Sequence, residues 1–339
     1  MSAVAQCEPS IVIAVTIDVE CDKGKDWGIR YPMRFRSVIE GIPNLLMPLF
    51  RQYSIRPTLL LSPEVIQSDE CCRVLEAIPD CELGVHLHGE FIPPDDTPAP
   101  ARTDSPQSQY KPELEFEKLA NLTNLFESKF GFRPRSFRAG RFGVGRHTLR
   151  FLSEVGYLVD SSVTPFWNHN FGNGHERSYW GAPIQPYFPK WNDPGKRGKS
   201  TVLEVPVTIV HPRFVRWPNW LLRKIRRPGQ WMQKLLRLIP SDEPNRPLWL
   251  RPWRSTVKEM IYVADTVVNL APSRRSVVLN MMYHSVEVIP GASPYPQTKA
   301  DVQYFLDSQE RFFQYLFETY PARSVGLSEL YAVFSSGGE

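Results

Sequence analysis

Apolar runs of strand length alternate along the chain with segments whose apolar residues recur every three or four positions. That alternation marks successive βα units around a mostly parallel sheet. Ile11–Ile17, IVIAVTI, is apolar at nearly every position, as a strand covered on both faces must be. Val38, Ile42, Leu45, Leu46 and Leu49 follow at helical spacing, and Leu59–Leu61 forms the second strand. Val65, Ile66, Val74, Leu75 and Ile78 mark another helical face before a strand that ends Gly84-Val85-His86. Six prolines between Pro93 and Pro112 make the next stretch a loop. A helix over Glu113–Phe130, a short strand near Phe137, a helix over His147–Val155 and strands near Tyr157–Asp160, Val202–Ile209 and Val277–Tyr283 complete the series. Together they predict an α/β fold built on a parallel barrel.

One stretch breaks the rhythm. From Arg213 to Arg237, eight Arg or Lys residues and no acidic residue accompany Trp217, Trp220 and Trp231. The spacing predicts two short amphipathic helices divided at Pro228-Gly229, with Leu221, Leu222, Ile225, Leu235, Leu236 and Ile239 as their apolar faces. Taken as an insertion over 211–254, it belongs to one barrel domain, 11–334, flanked by tails at 1–10 and 335–339. A chain of 339 residues, 42% hydrophobic and 22% charged, is long enough for one such domain and excludes a disordered protein. A net charge of +4 is too small to imply a nucleic-acid partner. No apolar run approaches the roughly 20 residues of a membrane span, and MSAVAQCEPS has neither a basic n-region nor an apolar h-region. A cytoplasmic protein is expected. Cys7, Cys21, Cys71, Cys72 and Cys81, odd in number and without CxxC spacing, predict reduced, structural thiols.

Catalytic groups of α/β folds collect at the C-terminal ends of parallel strands. The first strand ends Thr16-Ile17-Asp18-Val19-Glu20, with two carboxylates at alternate positions and so on one side of an extended chain. A later strand ends Gly84-Val85-His86-Leu87-His88-Gly89-Glu90, with imidazoles at i and i+2. That arrangement suits a divalent metal, or histidines hydrogen-bonded within a loop. FRAGRFG, 137–143, and Val159-Asp160-Ser161-Ser162 bring Arg138 and Asp160 to neighbouring strand ends as a plausible pair. Leu279–Glu287 delivers His284 to the same rim as a candidate acid or base. Ser285 and Glu287 beyond it are explained equally by loop capping and by reach into the site.

The ordered set TIDVE, GVHLHGE, FRAGRFG, VDSS and MYHS resembles the motifs of the polysaccharide deacetylase family, also called NodB-like carbohydrate esterases, over roughly residues 11–334. The resemblance implies a distorted (β/α)7 barrel. It also implies a metal-dependent hydrolase that removes an N-acyl group, acetyl foremost, from an aminosugar of a surface polysaccharide or its lipid-linked precursor. By the same resemblance Asp18 is the catalytic base, Arg138 and Asp160 orient it, and His284 protonates the leaving amine. One divalent metal, zinc foremost, is implied, with Glu20, His86 and His88 as its ligands. Two departures qualify the match. The family's first motif has adjacent aspartates, whereas Asp18-Val19-Glu20 looks more like the D-x-D of the membrane-associated branch that deformylates a lipid-linked aminosugar. The second motif spaces its histidines at i and i+4, where this chain has His86 and Glu90, so Glu90 is an alternative to His88. A catalytically inactive barrel that binds glycan or membrane, or a metal-free C–N hydrolase of the same fold, are the competing readings.

Around that centre, Arg141 is expected either to bind a substrate phosphate or carboxylate or to cap a helix. Tyr283 is expected to add an oxyanion or sugar contact. Trp167, His169 and His175, in a loop rich in aromatic and amide groups, are candidates for sugar contact, and His147 and His211 are expected to be structural. The basic Trp-rich segment has three readings: a solvated face, an interfacial segment lying on anionic lipid at the inner face of a membrane, or a clamp for an acidic polysaccharide. No nucleic-acid motif accompanies its charge. The absence of GxSxG, GxxxxGK[ST] and GxGxxG argues against serine hydrolases, P-loop enzymes and nicotinamide enzymes. A glycosidase would need its two carboxyl groups on opposite sides of a sugar rather than two residues apart.

Overall fold

The structure, a computed structural model, describes residues 10–94, 105–171, 176–224, 244–271 and 276–336. Eight strands form one parallel sheet: β1 Ile11–Val19, β2 Pro57–Leu61, β3 Glu82–Leu87, β4 Ser136–Ala139, β5 Val159–Asp160, β6 Leu203–Glu204, β7 Val277–His284 and β8 Ala322–Ser324. Seven of them follow the order β6-β5-β4-β3-β2-β1-β7, and β8 pairs with Ile11–Ile13 at the foot of β1, before β2 begins. This is the distorted (β/α)7 barrel. The distortion is a seam, since no strand ladder joins β6 to β7 among the described residues. Asn280 bridges it instead: its carbonyl accepts from the Thr208 N–H at 3.0 Å, its own N–H donates to Thr208 Oγ1 at 2.7 Å, and its Nδ2 donates to the Val205 carbonyl at 3.1 Å.

All nine residues of β1 are buried, and their alternation divides the protein into two apolar shells. Ile11, Ile13, Val15, Ile17 and Val19 face the surrounding helices. Val12 and Ala14 face inward, against Leu60, Val159, Leu203, Val205 and Val278. Val325, Leu327 and Leu330, at and before the start of the C-terminal helix Leu327–Ser336, join that inner cluster and close the N-terminal end of the barrel. Each buried aliphatic side chain contributes about 1.5–3 kcal/mol. Thr16 and Asp18 lie farther along the same inward face of β1, above the apolar plug, so the interior turns polar only toward the C-terminal ends of the strands.

The outer elements follow from local chemistry. Pro112–Phe130 has proline at its first turn and ends at Gly131, whose φ of 74° is the left-handed conformation glycine adopts without steric cost. Lys299–Thr319 opens with a capping box between Thr298 and Asp301 and buries Val302, Phe305, Phe312, Phe313 and Leu316. The helix expected after β1 is present as a wide π-type turn, Ser37–Leu46, running into Met47–Gln52. Pro43 lies inside it, and proline removes an i→i−4 bond that regular α geometry requires.

Two sequence expectations change. The strand expected over 202–209 is split, with Leu203–Glu204 pairing β5 and Ile209–Val210 pairing Leu248–Trp249 antiparallel. Pro206, which has no N–H for a ladder, stands between the two halves. In the basic segment Asn219–Lys224 is helical. The second expected helix, with Ile225, Trp231, Leu235, Leu236 and Ile239, lies outside the described residues, as do Cys7 and His175. Cys21, Cys71, Cys72 and Cys81 are free thiols, and burial pushes Cys21 up to about 12 and both Cys71 and Cys81 to about 11. Among the described residues no helix is long and apolar enough to cross a membrane.

Asp160 and Glu204 are register partners on β5 and β6, and both are wholly buried. Glu204 accepts from the Val163 N–H at 3.0 Å, and Asp160 accepts from the Ser162 hydroxyl. Burial raises both pKa values, and for Glu204 the neighbouring Asp160 charge adds to the rise. A folded-state pKa raised above its unfolded value gives stability that is complete below the ordinary carboxylate range and is lost as pH climbs through the folded values. Glu204→Gln, whose amide oxygen can still accept from the Val163 N–H but which needs no proton, is therefore expected to match wild type near pH 4. By pH 8 it is expected to exceed wild type by at least about 1 kcal/mol. Urea unfolding across that range checks this; a gap that does not widen with pH rules out a raised pKa at Glu204.

Candidate active site and metal centre

The C-terminal ends of β1, β3, β4 and β7 surround a cavity of about 750 Å³ whose wall includes Asp18, Glu20, His86, His88 and His284. At its base lies Arg138, fully buried on β4. Its Nη1 donates to Asp18 Oδ1 at 2.7 Å, its Nη2 to Thr16 Oγ1 and Ser161 Oγ at 2.8 Å each, and its Nε to the Ser161 carbonyl at 2.7 Å. Burial alone would raise the Asp18 pKa. The Arg138 guanidinium, helped by His86 and His284, outweighs it and holds the carboxyl below the usual carboxylate range.

Glu20, His86 and His88 converge. Glu20 Oε1 is 3.3 Å from His86 Nε2 and 3.4 Å from His88 Nε2, and the two Nε2 atoms are 3.1 Å apart. A tetrahedral ion with bonds of about 2.0–2.1 Å separates its ligand atoms by about 3.3–3.4 Å. The three donors therefore already stand close to the spacing of one face of such a tetrahedron, and two imidazoles with one carboxylate are a suitable donor set for a borderline divalent cation. The far side of each ring supports this. His86 Nδ1 faces the Arg138 carbonyl at 3.1 Å and must donate to it, which leaves Nε2 with its lone pair toward the cavity. His88 Nδ1 lies 3.1 Å from Glu90 Oε1. Burial disfavours a charged His88, but the Glu20 and Glu90 carboxylates on its two sides raise its pKa to about 9. The other Glu20 oxygen pairs with Lys23 Nζ at 3.1 Å.

Glu90 thus stands behind His88, outside the triangle of donor atoms formed by Glu20, His86 and His88. Arg141 is bound to it, Nη2 to Oε1 at 2.7 Å. The turn that presents Arg141 is unusual: Arg141 and Phe142 have φ of 56° and 55°, both left-handed. Such backbone costs non-glycine residues about 1–2 kcal/mol each. Gly140 just before them passes so near β3 that a Cβ would sit 2.5 Å from the Leu87 carbonyl oxygen.

Across the cavity, His284 Nε2 is 3.9 Å from Asp18 Oδ2 and 3.8 Å from Glu20 Oε1. Its Nδ1 lies 2.9 Å from Glu287 Oε1, and that carboxylate is paired with the buried Arg251. Trp27, left-handed at φ 63°, sets its indole against the His284 ring, tilted by 55° with centroids 5.0 Å apart.

Two expected site residues are elsewhere. Asp160 makes no hydrogen bond to Arg138 or Asp18. It aligns with Phe137 rather than Arg138, so the pleat turns it away from the barrel interior toward Glu204. Ser161, one residue on, takes the place beside Arg138. Tyr283 is also turned outward: it is wholly buried, edge-on against Phe305 at 5.1 Å, while His284 next to it faces the cavity. Trp167 lines the cavity, edge to face with Trp249. His169 lines it too, bonded to Thr164 Oγ1, and burial, with Arg177 and Arg254 nearby, lowers its pKa to about 4. His147 stacks on Phe151 and His211 packs between Trp180 and Phe214, both away from the cavity.

Sequence reasoning missed Ser161, Lys23, Trp27 and Arg251 and left Glu287 undecided. Lys23 and Glu287 each stand three residues beyond a site residue, a local signal that was readable. Arg251 comes from a distant segment with no local mark.

No protein-family model matches the chain, and no curated protein matches its sequence. Among solved structures the chain is similar to a Mycobacterium smegmatis protein assigned as a polysaccharide deacetylase, with 14% identity, 99% of this chain and 93% of that one covered, and a TM-score of 0.51. It is similar to a Pseudomonas aeruginosa PAO1 protein of the same assignment, with 13% identity, 97% and 91% covered, and a TM-score of 0.53. It is similar as well to PuuE allantoinase, with 12% identity, 97% and 90% covered, and a TM-score of 0.55. These likenesses establish the fold.

If Glu90 sets the orientation of His88, Glu90→Gln should weaken divalent-cation binding about 10- to 100-fold. Calorimetric titration with zinc measures it, and an affinity equal to wild type would show that His88 is held without Glu90.

Proposed function

We propose that the protein is a divalent-metal-dependent hydrolase that removes an N-acyl group, acetyl foremost, from an aminosugar of a surface polysaccharide or its lipid-linked precursor. One observation carries this reading: a carboxylate held ionised by a buried arginine stands beside a triangle of metal-ligand atoms and opposite an imidazole, all in one cavity. The likeness of fold to the two polysaccharide deacetylases supports it.

Glu20, His86 and His88 would hold the metal, with zinc the first candidate, and the ion would supply a Lewis acid for the acyl carbonyl and acidify a water molecule. The protein groups divide the remaining work. Asp18, ionised by Arg138, accepts the proton of the attacking water. Arg138 cannot lose its own proton in a protein, so it holds Asp18 in orientation throughout and favours its return to the ionised form once the proton is passed on. His284, with Glu287 on Nδ1, presents Nε2 toward the reacting centre and gives a proton to the departing amine. Trp27 and Trp167 offer flat apolar faces for a sugar ring. A formyl group, as the Asp18-Val19-Glu20 pattern suggests, would undergo the same chemistry.

The decisive experiment combines elemental analysis with amine release from acetylated and formylated aminosugar oligomers. Wild type is expected to hold one metal per chain and release amine. His86→Ala is expected to lose both, and Asp18→Asn to keep the metal while its rate drops by at least about 100-fold. Absence of metal and of amine release, even with zinc, cobalt or nickel added, would favour a glycan-binding or metal-free barrel and sink the proposal.

A lipid-linked substrate would also require approach to a membrane. Trp217 and Trp220 are 39% and 63% exposed, beside Arg213, Arg216, Arg223 and Lys224. We assign this surface to peripheral contact with anionic lipid at the inner membrane face. Flotation with vesicles containing phosphatidylglycerol should recover wild type, and Trp217→Ala/Trp220→Ala should float about tenfold less. Equal flotation of the two proteins would remove the membrane from the proposal.

A further inference from the structure

The cations that line the cavity differ in one respect. Lys23 is paired with Glu20 at 3.1 Å, Arg141 with Glu90 at 2.7 Å, and Arg251 with Glu287. Arg254 has no carboxylate partner among the described residues. Its guanidinium lies over the rings of Trp167 and Trp249, 5.3 and 5.6 Å from their centroids, and those two indoles meet edge to face at 5.3 Å. All three line the cavity, and Arg254 is exposed there.

The two indoles stand at 81° to each other, so the planar guanidinium can lie flat on at most one of them, and neither ring offers it a carboxylate or carbonyl oxygen. The indoles therefore position this charge while leaving it N–H donors for a ligand. A planar cation presented in that way is matched by a carboxylate or phosphate, which accepts two parallel N–H bonds. Arg141, the sequence candidate for this role, is bound to Glu90. We propose that Arg254 is the specificity-determining residue for an oxyanion on the substrate, so that the preferred substrate is an N-acylated aminosugar bearing a carboxylate or a phosphate. The word substrate rests on the deacylase reading above; the recognition of the anion does not.

The test compares three sugars with the full-length protein: N-acetylglucosamine, its 6-phosphate, and the corresponding uronic acid, 2-acetamido-2-deoxyglucuronate. Arg254→Met keeps the apolar stem against the indoles and removes the charge. Wild type should prefer at least one anionic sugar over the neutral one in kcat/KM, and whichever is preferred identifies phosphate or carboxylate. In Arg254→Met that preference should fall about 10- to 100-fold, through KM rather than kcat, with Arg254→Lys intermediate. A wild-type enzyme indifferent to charge, or a preference that survives in Arg254→Met, overturns the inference while leaving the deacylase reading intact. Should none of the sugars release amine, calorimetric binding of the same three decides. Anion-selective binding lost in Arg254→Met upholds the role of Arg254 and counts against the deacylase reading. Binding that ignores either the anion or the substitution overturns the inference.

Discussion

A permanently charged guanidinium with no access to water is the constraint around which the rest of the structure is arranged. Removing such a charge from solvent costs several kcal/mol unless it is paired and its donors are satisfied. Arg138 meets that demand with Asp18, Thr16 and both the hydroxyl and carbonyl of Ser161. Those partners come from β1 and from the residue after β5, so the pairing draws together parts of the barrel wall far apart in sequence. The same contact fixes the protonation state of Asp18. Loss of either partner would leave a buried charge uncompensated, so stability and chemistry are coupled at this pair.

The alternation of side chains along the strands then distributes roles. On β1, Thr16 and Asp18 share the interior with Val12 and Ala14, and the apolar members of that series exclude water from below while the polar ones form the floor of the cavity. On β7, Asn280 and His284 face inward, Asn280 across the seam and His284 toward Asp18. Glycine at position 140 lets β4 approach β3 closely enough for the following strained turn to aim Arg141 at Glu90. The geometry of His88 thus depends on a chain of contacts, His88 to Glu90 to Arg141, that begins with the absence of one methyl group.

Much of this was legible in the sequence. The βα rhythm, the strand-end carboxylates and the two imidazoles two residues apart gave the barrel and the group Asp18, Glu20, His86, His88 and His284, which the structure gathers around one cavity. What escaped was the direction of side chains at the ends of strands. Asp160 and Tyr283 stand one residue from an inward-facing position, and a one-residue offset in a pleated chain moves a side chain to the opposite face. Nor does a linear pattern reveal pairing between distant segments. Arg251 and Glu287 are 36 residues apart and meet only because the segment that follows Leu248–Trp249 lies over the end of β7.

The ion pairs around the cavity have a consequence for which cation such a site would select. Asp18, Glu20, Glu90 and Glu287 are matched by Arg138, Lys23, Arg141 and Arg251, so these four acids and four bases cancel, and with Arg254 also on the wall the pocket carries no net negative charge. Magnesium and calcium, held mainly by accumulated negative charge on oxygen donors, would find little to attract them. Discrimination would pass to the two imidazole lone pairs, whose preference follows orbital softness rather than charge, and so would favour the later first-row transition metals. A pocket of this kind would also respond weakly to ionic strength, because the attraction it offers is short-ranged and directional and not an extended electrostatic field.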